Sequence, residues 1–204
     1  MRKIGAVIFD GFEMLDYYGP LEMFAMHRDA FEIVAVGQNG DGAQASGGPR
    51  TMPDATFSDG TSYDILLVPG GMGTRAELDN PVMLDWLRAA CAEAEIVTSV
   101  CTGSALLARA GALDGRAATT NKRAFDWVCD VAQTDTVTWK QTARWVEDGK
   151  FFTSSGVSAG MDMSLAVIER LLGKDAARDA ALWAEYEPNT DPNNDPFALE
   201  ESDT

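Results

Sequence analysis

The sequence contains few of the histidine and cysteine side chains that many cysteine-dependent or metal-dependent proteins use. It contains one histidine, His27, which limits every mechanism that needs an imidazole. Its three cysteines, Cys91, Cys101 and Cys129, are an odd number without CxxC spacing, which argues against a disulfide framework and a zinc site. The sequence therefore predicts a reducing, cytoplasmic location and no bound metal.

Basic residues are also scarce, with 16 Lys and Arg against 32 Asp and Glu and a net charge of −16. Such a surface repels phosphate backbones, and no run of Lys and Arg offers a local exception. The sequence ends without a basic helix-turn-helix segment. Nucleic acid is therefore excluded as an expected partner.

Long apolar runs are absent as well. No stretch approaches the roughly 18 residues that a membrane span requires. Residues 4–9 are too short for the apolar part of a signal peptide, and Asp10 interrupts them. The sequence predicts no association with a membrane.

What is present indicates a globular protein. The chain of 204 residues is 46% hydrophobic, which is enough to build a core, and its length favours one domain. We expect that domain to span residues 1–187. Residues 188–204 contain three prolines, five acids and no Lys or Arg, and they predict a solvated C-terminal tail, although Phe197 and Leu199 leave open that part of it packs on the domain.

Short β-branched runs alternate with helical patterns, as in a parallel sheet covered on both faces. The predicted strands lie at residues 3–9, 31–37, 64–71 and 95–100, and the helices between and after them at 20–30, 81–94 and 102–113. Pro20 and Pro81 are expected to begin helices, a position that proline favours. Further on, we predict a hairpin or long connection at 38–54, helices at 123–132, 158–173 and 174–187, and two strands joined by a turn at Asp148-Gly149.

Cys101 lies at the abrupt junction between a buried strand and a helix. This junction resembles a nucleophile elbow, in which a tight turn holds the reactive atom above the carboxyl end of the sheet. Gly103 relieves crowding beneath that turn. Because the start of a helix favours a thiolate, we expect a lowered pKa and the most reactive thiol at Cys101. The alternative is a small buried hydrophobe, which is the expectation for Cys91 and Cys129.

Two further segments follow strands at the same edge of the predicted sheet. Asp16 comes after the first strand and approaches Cys101 if their strands are neighbours; its alternative role is a turn acid or a helix cap. Glu13, in the same loop, is expected to be solvated. Gly70 and Gly71 follow an apolar strand, where main-chain N–H groups stabilise negative charge, although glycine also serves simply to connect a strand to a helix.

These segments together resemble the DJ-1/PfpI superfamily, and within it the isonitrile (isocyanide) hydratases. The resemblance rests on LDYYGP at 15–20, VPGGMG at 68–73, VTSVCTGS at 97–104, GALDGRAATT at 111–120, SSGVSAGMDMSL at 154–165 and AEYEP at 184–188. It implies a flavodoxin-like three-layer α/β sandwich, also described as class I glutamine amidotransferase-like, with a mainly parallel sheet and a cysteine nucleophile elbow. It also implies a homodimer that acts on a small molecule without a cofactor.

Residue by residue, the resemblance implies Cys101 as the nucleophile, Asp16 as its acid/base partner and Thr102 as the residue paired with the cysteine. The implied reaction is the hydration of an isonitrile to an N-substituted formamide through a thioimidate on Cys101. The backbone N–H groups of Gly71 and Thr102 polarise the reacting group, and Gly70 belongs to the same binding turn. Asn121 departs from the family pattern, which often has a histidine after the Thr-Thr pair.

Two other interpretations remain. A glyoxalase-like enzyme would convert a 2-oxoaldehyde into a 2-hydroxy acid through a hemithioacetal on Cys101. A non-enzymatic redox or stress sensor would oxidise Cys101 reversibly and turn over neither substrate.

The position of His27 yields a direct prediction. This residue lies far along the first predicted helix, about 10 Å from the catalytic edge at 1.5 Å per residue. We therefore expect His27→Ala to leave turnover within a few-fold of wild type in a steady-state assay. A loss of about a hundredfold or more would place the imidazole in the chemistry.

Overall fold

A seven-stranded sheet forms the centre of the computed structural model, which describes residues 1–198. The strands in that part of the chain are β1 Arg2–Val7, β2 Phe31–Gly37, β3 Ala43–Gln44, β4 Arg50–Thr51, β5 Ala55–Thr56, β6 Ile65–Val68, β7 Ile96–Val100, β8 Ala117–Ala118, β9 Thr138–Trp139, β10 Trp145–Asp148 and β11 Phe151–Ser154. The α-helices are α1 Met14–Ala25, α2 Thr74–Glu77, α3 Pro81–Glu93, α4 Gly103–Arg109, α5 Phe125–Ala132, α6 Ala159–Leu172 and α7 Lys174–Trp183.

The order of strands across the central sheet is β10-β11-β7-β6-β1-β2-β5. Every neighbouring pair is parallel except β10 and β11, which form a hairpin. The expected α/β fold with a mainly parallel sheet is confirmed. Because β1, β6 and β7 are adjacent and parallel, the segments that follow them meet at one edge of the sheet.

Apolar residues of the middle strands form the core between two groups of helices. All residues of β6 and β7 are buried, as their continuous β-branched and leucine-rich sequence predicts for strands covered on both faces. One group of helices contains α1, α6 and α7, and the other brings α4 against α3 and α5. The sheet therefore holds the ends of its middle strands in fixed relative positions.

Helix α1 begins earlier than the sequence predicts. It starts at Met14, so Pro20 lies inside the helix rather than at its first position, and Asp16 belongs to the first helical turn. A proline lacks the N–H that would bond to the carbonyl four residues earlier, so the carbonyl of Asp16 has no helical partner. Tertiary packing stabilises this proline, which is buried. Pro81 does begin α3, and the side chain of Asn80 caps that helix.

The sequence beyond α7 packs on the domain as far as it is described. Arg144 is only 4% exposed, and its Nε lies 2.7 Å from the carboxylate of Asp162 in α6. Its Nη1 lies 3.5 Å from the carboxylate of Asp195, which is 3% exposed. The N–H of Arg144 donates to the carbonyl of Pro192. Residues 188–198 thus lie against the body through a buried ionic contact, whereas Leu199 lies outside the described residues.

Within residues 1–198, no helix is long and apolar enough to cross a membrane.

The buried position of Asp195 predicts a measurable contribution to stability. Removing this carboxylate takes one of two partners from a desolvated guanidinium, so Asp195→Ala should lower the free energy of unfolding by about 2 kcal/mol. The matched control is Asp191→Ala in the same segment, where the side chain is exposed and the expected change is about 0.5 kcal/mol or less. Equal effects of the two substitutions in urea denaturation would contradict a stabilising role of the buried contact.

Candidate active site

Cys101 occupies the tight turn between β7 and α4, as the elbow pattern predicts. Its φ of 56° lies in the left-handed region, which a residue with a side chain adopts only when its surroundings enforce it. The N–H of Cys101 donates to the carbonyl of Ser154, 3.2 Å away. At Gly103, a Cβ would collide with the carbonyl oxygen of Val68, so glycine allows α4 to start directly against the end of β6.

Asp16 is completely buried beside Cys101, and its pKa is raised accordingly. One carboxylate oxygen, Oδ2, accepts the N–H of Gly70 at 3.1 Å. The other, Oδ1, is buried without a hydrogen-bond partner among residues 1–198. Burial raises the pKa of Asp16 to about 8, although the Gly70 N–H and the Cys101 thiol oppose this shift. Asp16 therefore retains a proton at neutral pH.

The pKa of Cys101 is raised rather than lowered, and the sequence expectation is wrong on this point. The main cause is burial, followed by the nearby Asp16 carboxylate. The Thr102 N–H and the Asn121 amide act in the opposite direction, since both stabilise a negative sulfur. The sequence pattern identified the helix start but could not reveal that the sulfur is desolvated and faces an acid.

The repulsion between Asp16 and Cys101 has a chemical consequence. Two negative charges are costly in a buried site, so the two groups do not ionise together, and at neutral pH both keep their protons. While Asp16 keeps its proton, this repulsion is absent, and burial alone opposes the ionisation of the sulfur. The pair then consists of a nucleophile and a neighbouring acid.

The glycine turn after β6 fixes these groups in place. The N–H of Gly71 donates to Oγ1 of Thr102 at 3.0 Å, and the hydroxyl of Thr74 donates to the carbonyl of Gly71 at 2.8 Å. A Cβ at Gly70 would lie 2.6 Å from the N–H nitrogen of Thr102 and 2.9 Å from Oδ2 of Asp16. Glycine is required there because the backbone approaches both site residues closely. The N–H groups of Gly70 and Gly71 are engaged by site side chains, and the Thr102 N–H is the amide that acts on the sulfur.

Residues outside the three predicted segments complete the surroundings of the sulfur. Asn121 acts on it as described above, and a Cβ at Gly156 would lie 3.1 Å from Sγ of Cys101. Thr74 joins the turn through its hydroxyl. The sequence signalled Asn121 only as a departure from a family pattern, whereas Gly156 and Thr74 carried no local signal because other elements bring them to the site.

His27, Cys91 and Cys129 lie away from the site, whereas Glu13 lies beside it and helps to raise the pKa of Asp16. His27 follows the end of α1, and its Nε2 lies 2.9 Å from the carbonyl oxygen of Ala176 in α7. Cys91 is buried in α3, where burial raises its pKa to about 12, and Cys129 is half-buried in α5. Glu13 is partly buried just before α1, and its N–H donates to the carbonyl of Gly70.

A cavity of about 630 Å³ lies between α6, α7 and residues 185–190. Neither Cys101 nor Asp16 lines it. This cavity is therefore separate from the cysteine site.

The family model described as the DJ-1/PfpI family matches residues 2–170. The chain belongs to the DJ-1/PfpI family. A relative in this family, an isonitrile hydratase of Pseudomonas putida, is 34% identical over 186 residues, which are 91% of this chain and 79% of that protein. The crystal structure of a ThiJ/PfpI family protein from Pseudomonas syringae is 30% identical with a TM-score of 0.82, covering 96% of this chain and 77% of that one.

The DJ-1/PfpI domain also occurs in longer relatives. The HTH-type transcriptional regulator GbdR of Pseudomonas aeruginosa is 29% identical over 181 residues, which are 85% of this chain. This chain spans about half of that regulator, namely 48% of its length. Membership of the DJ-1/PfpI family is thus compatible with both catalytic and regulatory proteins.

The raised pKa of Asp16 predicts how stability depends on pH. Below the ordinary aspartate pKa of about 4, this side chain is neutral in both the folded and the unfolded chain. Between about 4 and about 8 the unfolded chain releases the proton while the folded site retains it, so the buried acid increasingly destabilises the fold as pH rises. Asp16→Asn removes this penalty, and its advantage in free energy of unfolding should grow across that range and level off above it.

The measurement is chemical denaturation of both proteins at several pH values. Asp29→Asn serves as the control because Asp29 is exposed, and its stability should run parallel to wild type. A constant difference between Asp16→Asn and wild type at all pH values would contradict a raised pKa at Asp16.

Proposed function

We propose that this protein hydrates an isonitrile to an N-substituted formamide without a cofactor. The observation that carries the proposal is the buried pair of Asp16 and Cys101 at the elbow, where an acid with a pKa near 8 lies beside the sulfur. In its reactive form, with the sulfur ionised and Asp16 protonated, such a pair supplies both a nucleophile and a proton donor. The 34% identity to the Pseudomonas putida isonitrile hydratase over most of both chains supports the same substrate class.

In the first step, the Cys101 thiolate forms a bond to the terminal carbon of R–N≡C. The proton of Asp16 adds to the same carbon, giving the thioimidate R–N=CH–S–Cys101 and an Asp16 carboxylate. The N–H of Thr102 stabilises the sulfur before attack. No oxidant or reductant is required, because the carbon gains one bond to sulfur and one to hydrogen.

In the second step, water adds to the thioimidate carbon. Asp16 takes a proton from the water and delivers it to the nitrogen, giving the tetrahedral intermediate R–NH–CH(OH)–S–Cys101. The carbon–sulfur bond then breaks with its electron pair returning to sulfur, and the hydroxyl proton returns to Asp16. The products are R–NH–CHO and the original pair, so one water is consumed for each isonitrile.

The resemblance to a transcriptional regulator supports a second candidate. Since GbdR contains a similar domain in a longer chain, the cysteine site of this protein also suits a ligand-binding or redox-sensing role without turnover. Cys101 is only 7% exposed, which restricts access to small molecules in either role. The same proposal includes a homodimer, which rests on the family likeness, and a cytoplasmic location, which rests on the number and spacing of the cysteines.

The decisive experiment measures formamide formed from alkyl and aryl isonitriles, with lactate formed from methylglyoxal as the parallel reaction. We expect formamide from wild type, none above background from Cys101→Ala, and a loss of at least about a hundredfold for Asp16→Asn, which cannot transfer the proton. Cys129→Ala is the matched control and should retain turnover because Cys129 lies in α5.

The outcomes separate the candidate functions. Lactate without formamide would replace the hydratase with a glyoxalase-like enzyme. Reversible oxidation of Cys101, seen by mass spectrometry without turnover of either substrate, would assign a sensor. A folded Asp16→Asn variant with wild-type formamide production would reject the Cys-Asp mechanism.

A further inference from the structure

The segment that contains Asn121 is fastened directly to the elbow. The hydroxyl of Thr120 donates to the carbonyl of Cys101 at 2.9 Å. On the other side of Asn121, the buried ammonium of Lys122 donates to Oγ1 of Thr119 at 2.9 Å. The backbone of Asn121 is therefore fixed relative to the nucleophile, although β7 and residue 121 belong to different parts of the fold.

The side-chain amide of Asn121 has a defined orientation. Its Oδ1 accepts the N–H of Ala124 at 3.1 Å, so the carbonyl end of the amide is engaged. The Nδ2 end lies against Gly156, where a Cβ would overlap Nδ2 and would lie 3.1 Å from Sγ of Cys101. The amide nitrogen and the sulfur therefore border the same space, which the missing side chain of Gly156 leaves open.

We propose that Asn121 is a further catalytic residue, whose Nδ2 group donates a hydrogen bond to the Cys101 sulfur and stabilises the thiolate. This inference rests on the proposed function for its chemical meaning, because it assigns the group that helps to ionise the nucleophile. Hydrogen bonds to a charged acceptor are roughly twice as strong as those between neutral groups, so the amide favours the thiolate over the thiol.

An amide suits this site because it carries no charge. The groups that act on the sulfur are the Asp16 carboxyl from α1, the Thr102 N–H from the elbow and the amide of Asn121. Asp16 changes its charge near neutral pH, whereas an amide has no titration in that range. Asn121 therefore stabilises the thiolate equally at every pH, and Asp16 supplies the pH dependence.

The test compares wild type, Asn121→Ala and Asn121→Asp without any substrate. The apparent pKa of Cys101 is measured from the ultraviolet absorbance of the thiolate. At each pH, the absorbance of the same protein with Cys101→Ala is subtracted. Asn121→Ala removes the donor and should raise the apparent pKa by about one unit. Asn121→Asp keeps the size and the acceptor for Ala124 but places a carboxylate beside the sulfur, so its apparent pKa should be higher still.

The two substitutions separate a catalytic role from a structural one. If the contact with Ala124 alone mattered, a folded Asn121→Ala variant would titrate like wild type, and that result would overturn the proposal. Equal apparent pKa values in all three proteins would overturn it as well. If Asn121→Ala does not fold, Asn121→Ser replaces it, because this shorter uncharged side chain offers an acceptor to Ala124 and removes the amide donor from the sulfur.

The control is Asn80→Ala, which removes the cap of α3 far from the elbow. It should lower stability and leave the titration of Cys101 unchanged; a shift as large as that of Asn121→Ala would show that destabilisation alone moves the titration. Because the measurement uses no isonitrile, a failure of the proposed hydration leaves this result interpretable. Conversely, hydration that persists with an unchanged titration in Asn121→Ala would reject Asn121 alone.

Discussion

Exclusion of water from two acidic groups, the Asp16 carboxyl and the Cys101 thiol, is the constraint on which the site depends. Burial raises the pKa of both groups, and the repulsion between their charged forms prevents both from ionising together. Only one negative charge then has to be accommodated. The donors around it are neutral amides, among them the N–H groups of Gly70 and Thr102. Nothing in this arrangement requires an imidazole.

The topology brings the pair together without strain except at the elbow itself. Since β6 lies between β1 and β7, the turn after β6 lies between the segments that hold Asp16 and Cys101. Glycine fills that turn because a Cβ at Gly70 would meet both partners. The strained backbone at Cys101 is stabilised by its hydrogen bond to the end of β11. The site thus depends on contacts from several elements, namely the elbow, the turn after β6 and the end of β11, and no single segment could form it.

Much of the fold and part of the site could be predicted from the sequence. The buried strands were predictable because continuous apolar runs between turn residues are typical of parallel sheets, and the elbow because Cys101 follows such a run directly. The start of α1 was not, since Pro20 resembles a helix start and only tertiary packing shows that the helix continues through it. The raised pKa of Cys101 depends on burial, and the contact with Asn121 depends on a segment distant in sequence. A local sequence pattern contains no information on either. Membership of the family was predictable because several motifs spread along the chain resemble the same family.

The buried contact between Arg144 and Asp195 joins residues 51 positions apart, and Asp195 lies beyond residues 2–170 that match the family model. A ribosome makes the chain from its N-terminus, so Arg144 and Asp162 are synthesised before Asp195. Until then the guanidinium has only one of its two carboxylate partners and must keep water nearby. The Ser155 N–H donates to the carbonyl of Arg144, which links this late event to the segment beside the cysteine. The buried contact of Arg144 is consequently completed only after Asp195 has been synthesised, later than the strands of the sheet.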